Sequence, residues 1–126
     1  MAKTSGTYLL ECTNVNGCSN KTSVSITVNP LPAKPVLTIV SGFSNVICQL
    51  DSSYLQSSTA INLTKFNWYT GSSNAPTQLP NASQNNFYVK GPTSMGNSIV
   101  SSNYFVRSID VNGCVSPLSD AVTISF

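Results

Sequence analysis

The chain has 126 residues, of which 40% are hydrophobic and only 8% are charged, and its formal net charge is +2. So few charges exclude a basic nucleic-acid interface, and the absence of histidine excludes the Ser-His-Asp and Cys-His arrangements of hydrolases. No apolar run is long enough to span a bilayer, so we expect no membrane insertion.

The first predicted element is a β-hairpin within residues 1–29. Apolar and polar residues alternate from Ser23 to Val28, the pattern of a strand with one face in a core and the other in water. A free two-stranded hairpin is marginal in water. We therefore expect it to pack on the rest of the chain, to add to a sheet edge, or to self-associate with another copy.

A proline-rich linker is predicted at residues 30–35. Pro30, Pro32 and Pro35 cannot donate to a sheet ladder and favour an extended spacer. Residues 36–126 then form one complete module, long enough for a core of its own.

Short predicted strands fill residues 36–126, separated by turn residues such as Ser41-Gly42 and Gly91-Pro92. They lie at Val36–Val40, Val46–Leu50 with Tyr54-Leu55, Phe66–Tyr69, Gln78-Leu79, Phe87–Val89, Ile99-Val100, Tyr104–Ile109 and Ala121–Phe126. Seven or eight short strands at this spacing predict an all-β fold, specifically an antiparallel β-sandwich.

Three aromatic residues are predicted for the core. The pleat places Phe66 and Trp68 on one face of their strand and Asn67 and Tyr69 on the other. By position, Trp68 corresponds to the tryptophan that an immunoglobulin-type core buries, and Tyr104 to the tyrosine that opens the penultimate strand.

The last hairpin repeats the first. Tyr8 and Val15-Asn16-Gly17-Cys18 are echoed at a constant offset by Tyr104 and Val111-Asn112-Gly113-Cys114. After a two-residue slip, Val24–Val28 matches Val122–Phe126. The number of residues that separates the two copies is the length of a whole small domain. Residues 1–29 are therefore predicted to be the last hairpin of a preceding, similar module.

The chain resembles the immunoglobulin-like modules that are repeated in large secreted and cell-surface proteins of the Bacteroidetes. The residues that carry the resemblance are Asn103–Val106, Asp110–Cys114, the alternating last strand, their counterparts in residues 6–32, Phe66–Gly71 and Cys48. The resemblance implies an immunoglobulin-like β-sandwich in an extracellular or cell-surface protein, used as a spacer or adhesion unit and often found beside glycanase domains.

Four cysteines without histidine favour disulfides over a metal site, because their spacing does not match the paired ligands of zinc. Disulfides imply an oxidising, extracytoplasmic compartment. Cys48 and Cys114 are the only cysteines of residues 36–126, so we predict that they pair. For Cys12 and Cys18 we predict a local bridge across the first hairpin, and the alternative is two cysteines left unpaired by truncation of their module.

The acidic residues show no catalytic pattern. Glycoside hydrolysis needs two carboxylates in one cleft, yet Glu11 corresponds to Arg107 in the other copy and Asp110 to Asn14. Asp110–Gly113 resembles the start of a calcium loop, but the twelfth position of such a loop is Ala121, where an EF-hand has a bidentate acid. We therefore predict no enzyme activity, no metal and no cofactor, and local turn hydrogen bonds for Asp110.

Exposed aromatic rings are the candidate ligand-binding feature. Saccharides stack on such rings, and the outward strand positions give Tyr69, Tyr88 and Phe105 as candidate carbohydrate-binding residues. The alternative is that these rings only pack within and between strands, where aromatic residues are common.

These patterns favour a non-catalytic structural module that spaces neighbouring domains of the same extracellular bacterial polypeptide, whose other domains can include a glycoside hydrolase. One alternative is a carbohydrate-binding module with a polysaccharide as its partner. Another is an adhesin domain that binds a protein through a sheet edge.

Overall fold

The computed structural model describes residues 3–60, 62–94, 96 and 99–126. The chain divides into two compact units, residues 1–30 and residues 31–126. Every regular element among the described residues is a β-strand that pairs antiparallel with its neighbours, so the predicted all-β, antiparallel fold is confirmed. These residues include no helix long and apolar enough to cross a membrane.

The first unit is a two-stranded hairpin. Strand β1 (Gly6–Thr13) pairs with β2 (Ser19–Ile26). In the turn between them, the N–H of Gly17 donates to the carbonyl of Asn14 at 3.1 Å. Gly17 has a φ of 80°, which a residue without a Cβ adopts at no steric cost.

The second unit contains the remaining described strands, arranged in two sheets. They are β3 (Leu37–Ile39), β4 (Ser52–Ser57), β5 (Leu63–Ser72), β6 (Ala75–Gln78), β7 (Asn86–Lys90), β8 (Ser101–Asp110) and β9 (Val122–Ser125). One sheet has the order β3-β4-β7 and the other has the order β6-β5-β8-β9. The chain therefore crosses between the sheets after β4, after β6 and after β7.

The hydrophobic core lies between these sheets, as in a β-sandwich, because its side chains come from strands of both and from the loop residue Ile47. They are Ile47, Leu55, Phe66, Trp68, Val89, Val106 and Ile124. Fully burying one such side chain contributes about 1.5–3 kcal/mol to stability.

The aromatic residues predicted for the core differ in depth. Trp68 is fully buried and stacks on Phe87, with ring centroids 5.5 Å apart. Phe66 is also buried, whereas Tyr104 is half-buried and packs against the core cluster. Their positions follow the pleat, which turns alternate residues of β5 and β8 inward.

The two copies of the repeated hairpin pair in the same register. Tyr104 lies opposite Val122, just as Tyr8 lies opposite Val24. The two extra residues of the second copy fall before β9, where serine hydroxyls replace carbonyls as acceptors for the β8 backbone. The N–H of Val106 donates to Ser119 Oγ at 2.9 Å, and the N–H of Ser108 donates to Ser116 Oγ at 3.0 Å.

Two predicted strands are not strands in the structure. Val46–Leu50 forms a loop in which the N–H of Asp51 donates to the carbonyl of Cys48 at 3.1 Å. Leu50 has a φ of 64°, and a residue in the left-handed region does not continue a strand. Ile99-Val100 lies just before β8 and is not part of it.

Candidate functional site

The three candidate carbohydrate-binding residues do not share one surface. Tyr88 on β7 is 55% exposed, and Tyr69 on β5 is half-buried. They alternate with the buried residues Val89 and Trp68, so each lies on the outer face of its own sheet and the core lies between them. Phe105 is 3% exposed, which corrects the prediction that its ring is available to a saccharide.

Tyr88 belongs to an aromatic cluster that includes Phe43, a residue that the sequence analysis missed. Tyr54 lies directly opposite Tyr88, and their rings stack with centroids 4.2 Å apart and an interplanar angle of 26°. The ring of Phe43 is tilted against Tyr54 at 5.7 Å. A turn brings Phe43 there, because its N–H donates to the carbonyl of Val40 at 3.0 Å and Gly42 has a φ of 91°.

The rings of this cluster contact one another. A ring face that contacts a neighbouring ring is not free to stack on a sugar, so Tyr54, whose ring contacts both Phe43 and Tyr88, is the least available of the three. Aromatic pairs of this kind contribute about 0.5–1.5 kcal/mol beyond the area they bury. The geometry of the cluster therefore supports cross-strand packing better than it supports ligand binding.

The ring of Tyr69, on the other sheet, contacts a cationic side chain. The guanidinium carbon of Arg107 lies 5.9 Å from the centroid of the Tyr69 ring, within the range of cation–π attraction. Arg107 lies directly opposite Asn67, and its Nε is buried without a hydrogen-bond partner among the described residues. Among those residues, the ion pairs are Lys21–Glu11 and Lys34–Asp120, so the charge of Arg107 is not paired with a described carboxylate.

A groove of about 440 Å³ lies on the four-stranded sheet, and its lining includes Gln78, which pairs with Tyr69, and Asn67, which pairs with Arg107. Strand β5 supplies Lys65 and Asn67, β6 supplies Gln78, and the following segment supplies Asn81 and Ser83. Amide and hydroxyl groups both donate and accept hydrogen bonds, and the ammonium group of Lys65 adds a positive charge. Leu79, Pro80 and Ala82 complete the lining, so the groove offers both hydrogen-bonding and apolar surface.

Asp110 caps a turn, and Asn14 does the same in the first hairpin. Asp110 Oδ1 accepts hydrogen bonds from the N–H groups of Asn112 and Cys114, both at 2.9 Å. Asn14 Oδ1 accepts the equivalent pair at 2.9 and 3.0 Å. A neutral amide thus fills the same role as the carboxylate, and no group of three or more potential metal ligands occurs among the described residues.

The other carboxylates of the second unit also serve local structure. Asp51 Oδ1 accepts a hydrogen bond from the N–H of Ser52 at 2.7 Å. Asp120 forms an ion pair with Lys34 at 2.7 Å. Each acid is therefore engaged by its immediate surroundings, which gives no support to a pair of catalytic carboxylates facing one cleft.

All four cysteines are free thiols in the structure, which corrects both predicted disulfides. The backbone next to Cys48 bonds to Ser125, which pairs with Ser101 at the start of β8. Cys114 follows the far end of β8, a strand of 10 residues. Such a strand is about 30 Å long, whereas a disulfide needs Cα atoms within about 7 Å. Cys48 and Cys114 therefore lie at opposite ends of the unit.

Cys12 and Cys18 are diagonal neighbours in the first hairpin. Cys12 lies opposite Asn20, while the N–H of Asn14 donates to the carbonyl of Cys18 at 2.9 Å. Diagonal positions of an antiparallel pair are roughly 7–8 Å apart, which is too far for a disulfide without movement of the backbone.

Comparisons with known proteins do not identify a family. No family model matches the sequence, and no curated protein matches it. Among solved structures, the chain is similar to a pectate lyase from Pectobacterium carotovorum, with 19% sequence identity and a TM-score of 0.46. The match covers 71% of this chain and 26% of that chain, so this chain corresponds to about a quarter of that protein. A similarity at this level supports no inference about activity.

Proposed function

We propose that residues 31–126 form an immunoglobulin-like, non-catalytic module that spaces neighbouring domains of an extracellular bacterial protein. The strand order supports this fold, because β3, β4 and β7 share one sheet while β5, β8 and β9 share the other. Trp68, fully buried on the third strand of the unit, occupies the position of the tryptophan in immunoglobulin-type cores.

The comparison of the two hairpins is the observation that carries the proposal. Their register and their turn are the same, yet the side chains that bear charge differ: Glu11 stands where the other copy has Arg107, and Asn14 where it has Asp110. A repeated unit that keeps its backbone while its charged groups change suits a structural role better than a catalytic one.

Two further features support a tandem array outside the cell. Pro30, Pro32 and Pro35 give residues 30–35 the composition of a semi-rigid spacer. The resemblance to repeated modules of secreted Bacteroidetes proteins favours an extracellular or cell-surface location, with catalytic domains such as a glycoside hydrolase elsewhere in the same polypeptide.

Affinity electrophoresis through gels that contain soluble polysaccharides tests the spacing function. We expect the chain to migrate equally in gels with and without a neutral glucan or a polyuronate. Retention that Tyr69→Ala abolishes, and that Tyr88→Ala on the opposite sheet preserves, would contradict a purely structural role. Both variants remove a ring from an outer face, so their difference reports the location of the ligand.

The groove beside Tyr69 favours carbohydrate binding as a second candidate function. The amide and hydroxyl groups in its lining, together with Lys65, can form hydrogen bonds with a polysaccharide, and Leu79, Pro80 and Ala82 add apolar surface. In that case Lys65→Gln and Gln78→Ala weaken retention. Lys90→Gln removes the same charge from β7, on the other sheet, and is expected to leave retention unchanged.

A further inference from the structure

One face of the first hairpin is apolar and exposed. The register places Tyr8 opposite Val24 and Leu10 opposite Thr22, with Cys12 farther along the same face. Leu10 is 60% exposed and Val24 is 58% exposed. The opposite face is mostly polar and includes an ion pair between Glu11 and Lys21 at 3.8 Å.

In the second copy of this hairpin, the equivalent face is buried. Val106 and Ser108, the counterparts of Leu10 and Cys12, are fully buried. Ile124, the counterpart of Ile26, is also fully buried. The residues that cover this face in the second unit include Leu55 and Val89 of the three-stranded sheet.

The edge of β1 that points away from β2 is also open to pairing with another strand. In the second unit, β8 pairs with β9 on one side and with β5 on the other, from Leu63 opposite Asp110 to Thr70 opposite Tyr104. Strand β1, the counterpart of β8, pairs with β2 and with no other described strand. An unpaired edge of eight residues presents a row of backbone donors and acceptors to another strand.

We propose that the face formed by Tyr8, Leu10, Cys12, Val24 and Ile26 is one half of a sandwich core. Its partner is a five-stranded polypeptide of the kind formed by residues 36–100, which adds a strand to the edge of β1 and covers this face with a second sheet. This inference rests on the proposed function as a module of a tandem array. The side chains of the two copies have similar volumes, since Tyr, Val and Ile recur and Leu10 replaces Val106.

Cys12 gives a direct measurement of this contact. Its thiol is exposed in the structure, whereas the equivalent Ser108 is fully buried. A single-thiol protein with Cys18→Ser, Cys48→Ser and Cys114→Ser therefore reports coverage of the face as the rate of maleimide alkylation at Cys12. Hydrogen exchange of the β1 and β2 amides supplies a second, label-free measurement.

The experiment compares the chain alone with an extended chain in which a second copy of residues 31–100, which also carries Cys48→Ser, precedes Ser5. The hairpin then follows five strands, as β8 and β9 do in the second unit. We expect alkylation of Cys12 to slow by at least about tenfold in the extended chain, with matching protection of the hairpin amides. An unchanged rate together with unprotected amides would overturn the proposal.

Ser25 provides the control for Leu10. Ser25 lies opposite Thr7 on the other face of the hairpin, and its counterpart Thr123 is exposed in the second unit. In the extended chain, Leu10→Asp is expected to restore fast alkylation, while Ser25→Asp leaves the slow rate unchanged. Equal effects of the two variants would show that this face is not the contact.

A second copy of the chain is the competing occupant. In that case the chain alone shows slow alkylation of Cys12 that depends on protein concentration, together with a dimer in sedimentation analysis, and this result would also overturn the proposal. Failure of the spacing function is detected separately, because binding to a polysaccharide changes electrophoretic retention and not the reactivity of Cys12.

Discussion

Trp68 donates its indole N–H to the backbone carbonyl of Gln84 at 2.8 Å. Gln84 lies in the segment that leads from β6 in one sheet to β7 in the other. The N–H of Phe66 donates to the carbonyl of Ser83 at 3.1 Å, one residue earlier in that segment. Trp68 therefore fills the core and also helps to hold the crossing between the two sheets.

Replacing Trp68 is expected to be severely destabilising. Trp68→Ala leaves a large cavity and should lower the free energy of unfolding by about 3–5 kcal/mol. Trp68→Phe keeps an aromatic ring but leaves the Gln84 carbonyl without its donor, which we expect to cost about 1–3 kcal/mol. Urea denaturation followed by circular dichroism measures both. Tyr69→Phe, on the outer face of the same strand, is the control and should change the stability little.

Glycine is required at position 91 because the backbone of Cys48 lies next to it. A Cβ at this position would lie 2.5 Å from the carbonyl oxygen of Cys48, and backbone cannot move aside as a flexible side chain can. Gly91→Ala should therefore destabilise the second unit by about 1–3 kcal/mol, the usual cost of overpacking. Gly96→Ala is the control, since its Cβ would meet nothing within 4 Å. Equal thermal midpoints for the two variants would contradict this explanation.

The turn at Asp110 can be tested against the equivalent turn at Asn14 in the same chain. Because Asn14 makes the equivalent pair of hydrogen bonds, Asp110→Asn should leave the free energy of unfolding nearly unchanged. Asp110→Ala removes the acceptor of both bonds and should cost about 1–3 kcal/mol. Calcium should not raise the thermal midpoint of the original chain. A calcium-dependent shift that Asp110→Asn abolishes would show that the carboxylate binds the ion.

Local sequence patterns predicted most strands of this fold. They did not predict which side chains contact one another on the outer faces of the sheets. Period-two alternation and turn residues mark the hairpin at Tyr104–Phe126, since both signals depend on residues close in sequence. The stacking of Tyr54 on Tyr88 depends instead on how two distant strands align. Phe43 joins them through a turn whose direction no alternation reveals.

The errors about Phe105 and the cysteines have a similar origin. The pleat correctly places Phe105 beside Tyr69 and not in the central core cluster, but alternation does not show whether an outer position is covered. Counting cysteines suggested that Cys48 and Cys114 pair, whereas the position of Cys48 near the start of β8 depends on contacts with Ser125. Both features are set by long-range packing, which a single sequence does not encode in any short pattern.

The stability of the second unit should depend on pH through Tyr104. Burial raises the pKa of its phenol above the ordinary value of 10.0, so the folded state keeps a proton that the unfolded chain has released. The resulting stabilisation is fully present below the unfolded-state pKa and is lost as pH rises through the folded-state pKa. In urea titrations between about pH 9 and pH 11, the unfolding free energy should fall more steeply for the original chain than for Tyr104→Phe. A Tyr104→Phe slope equal to that of the original chain would rule out this explanation.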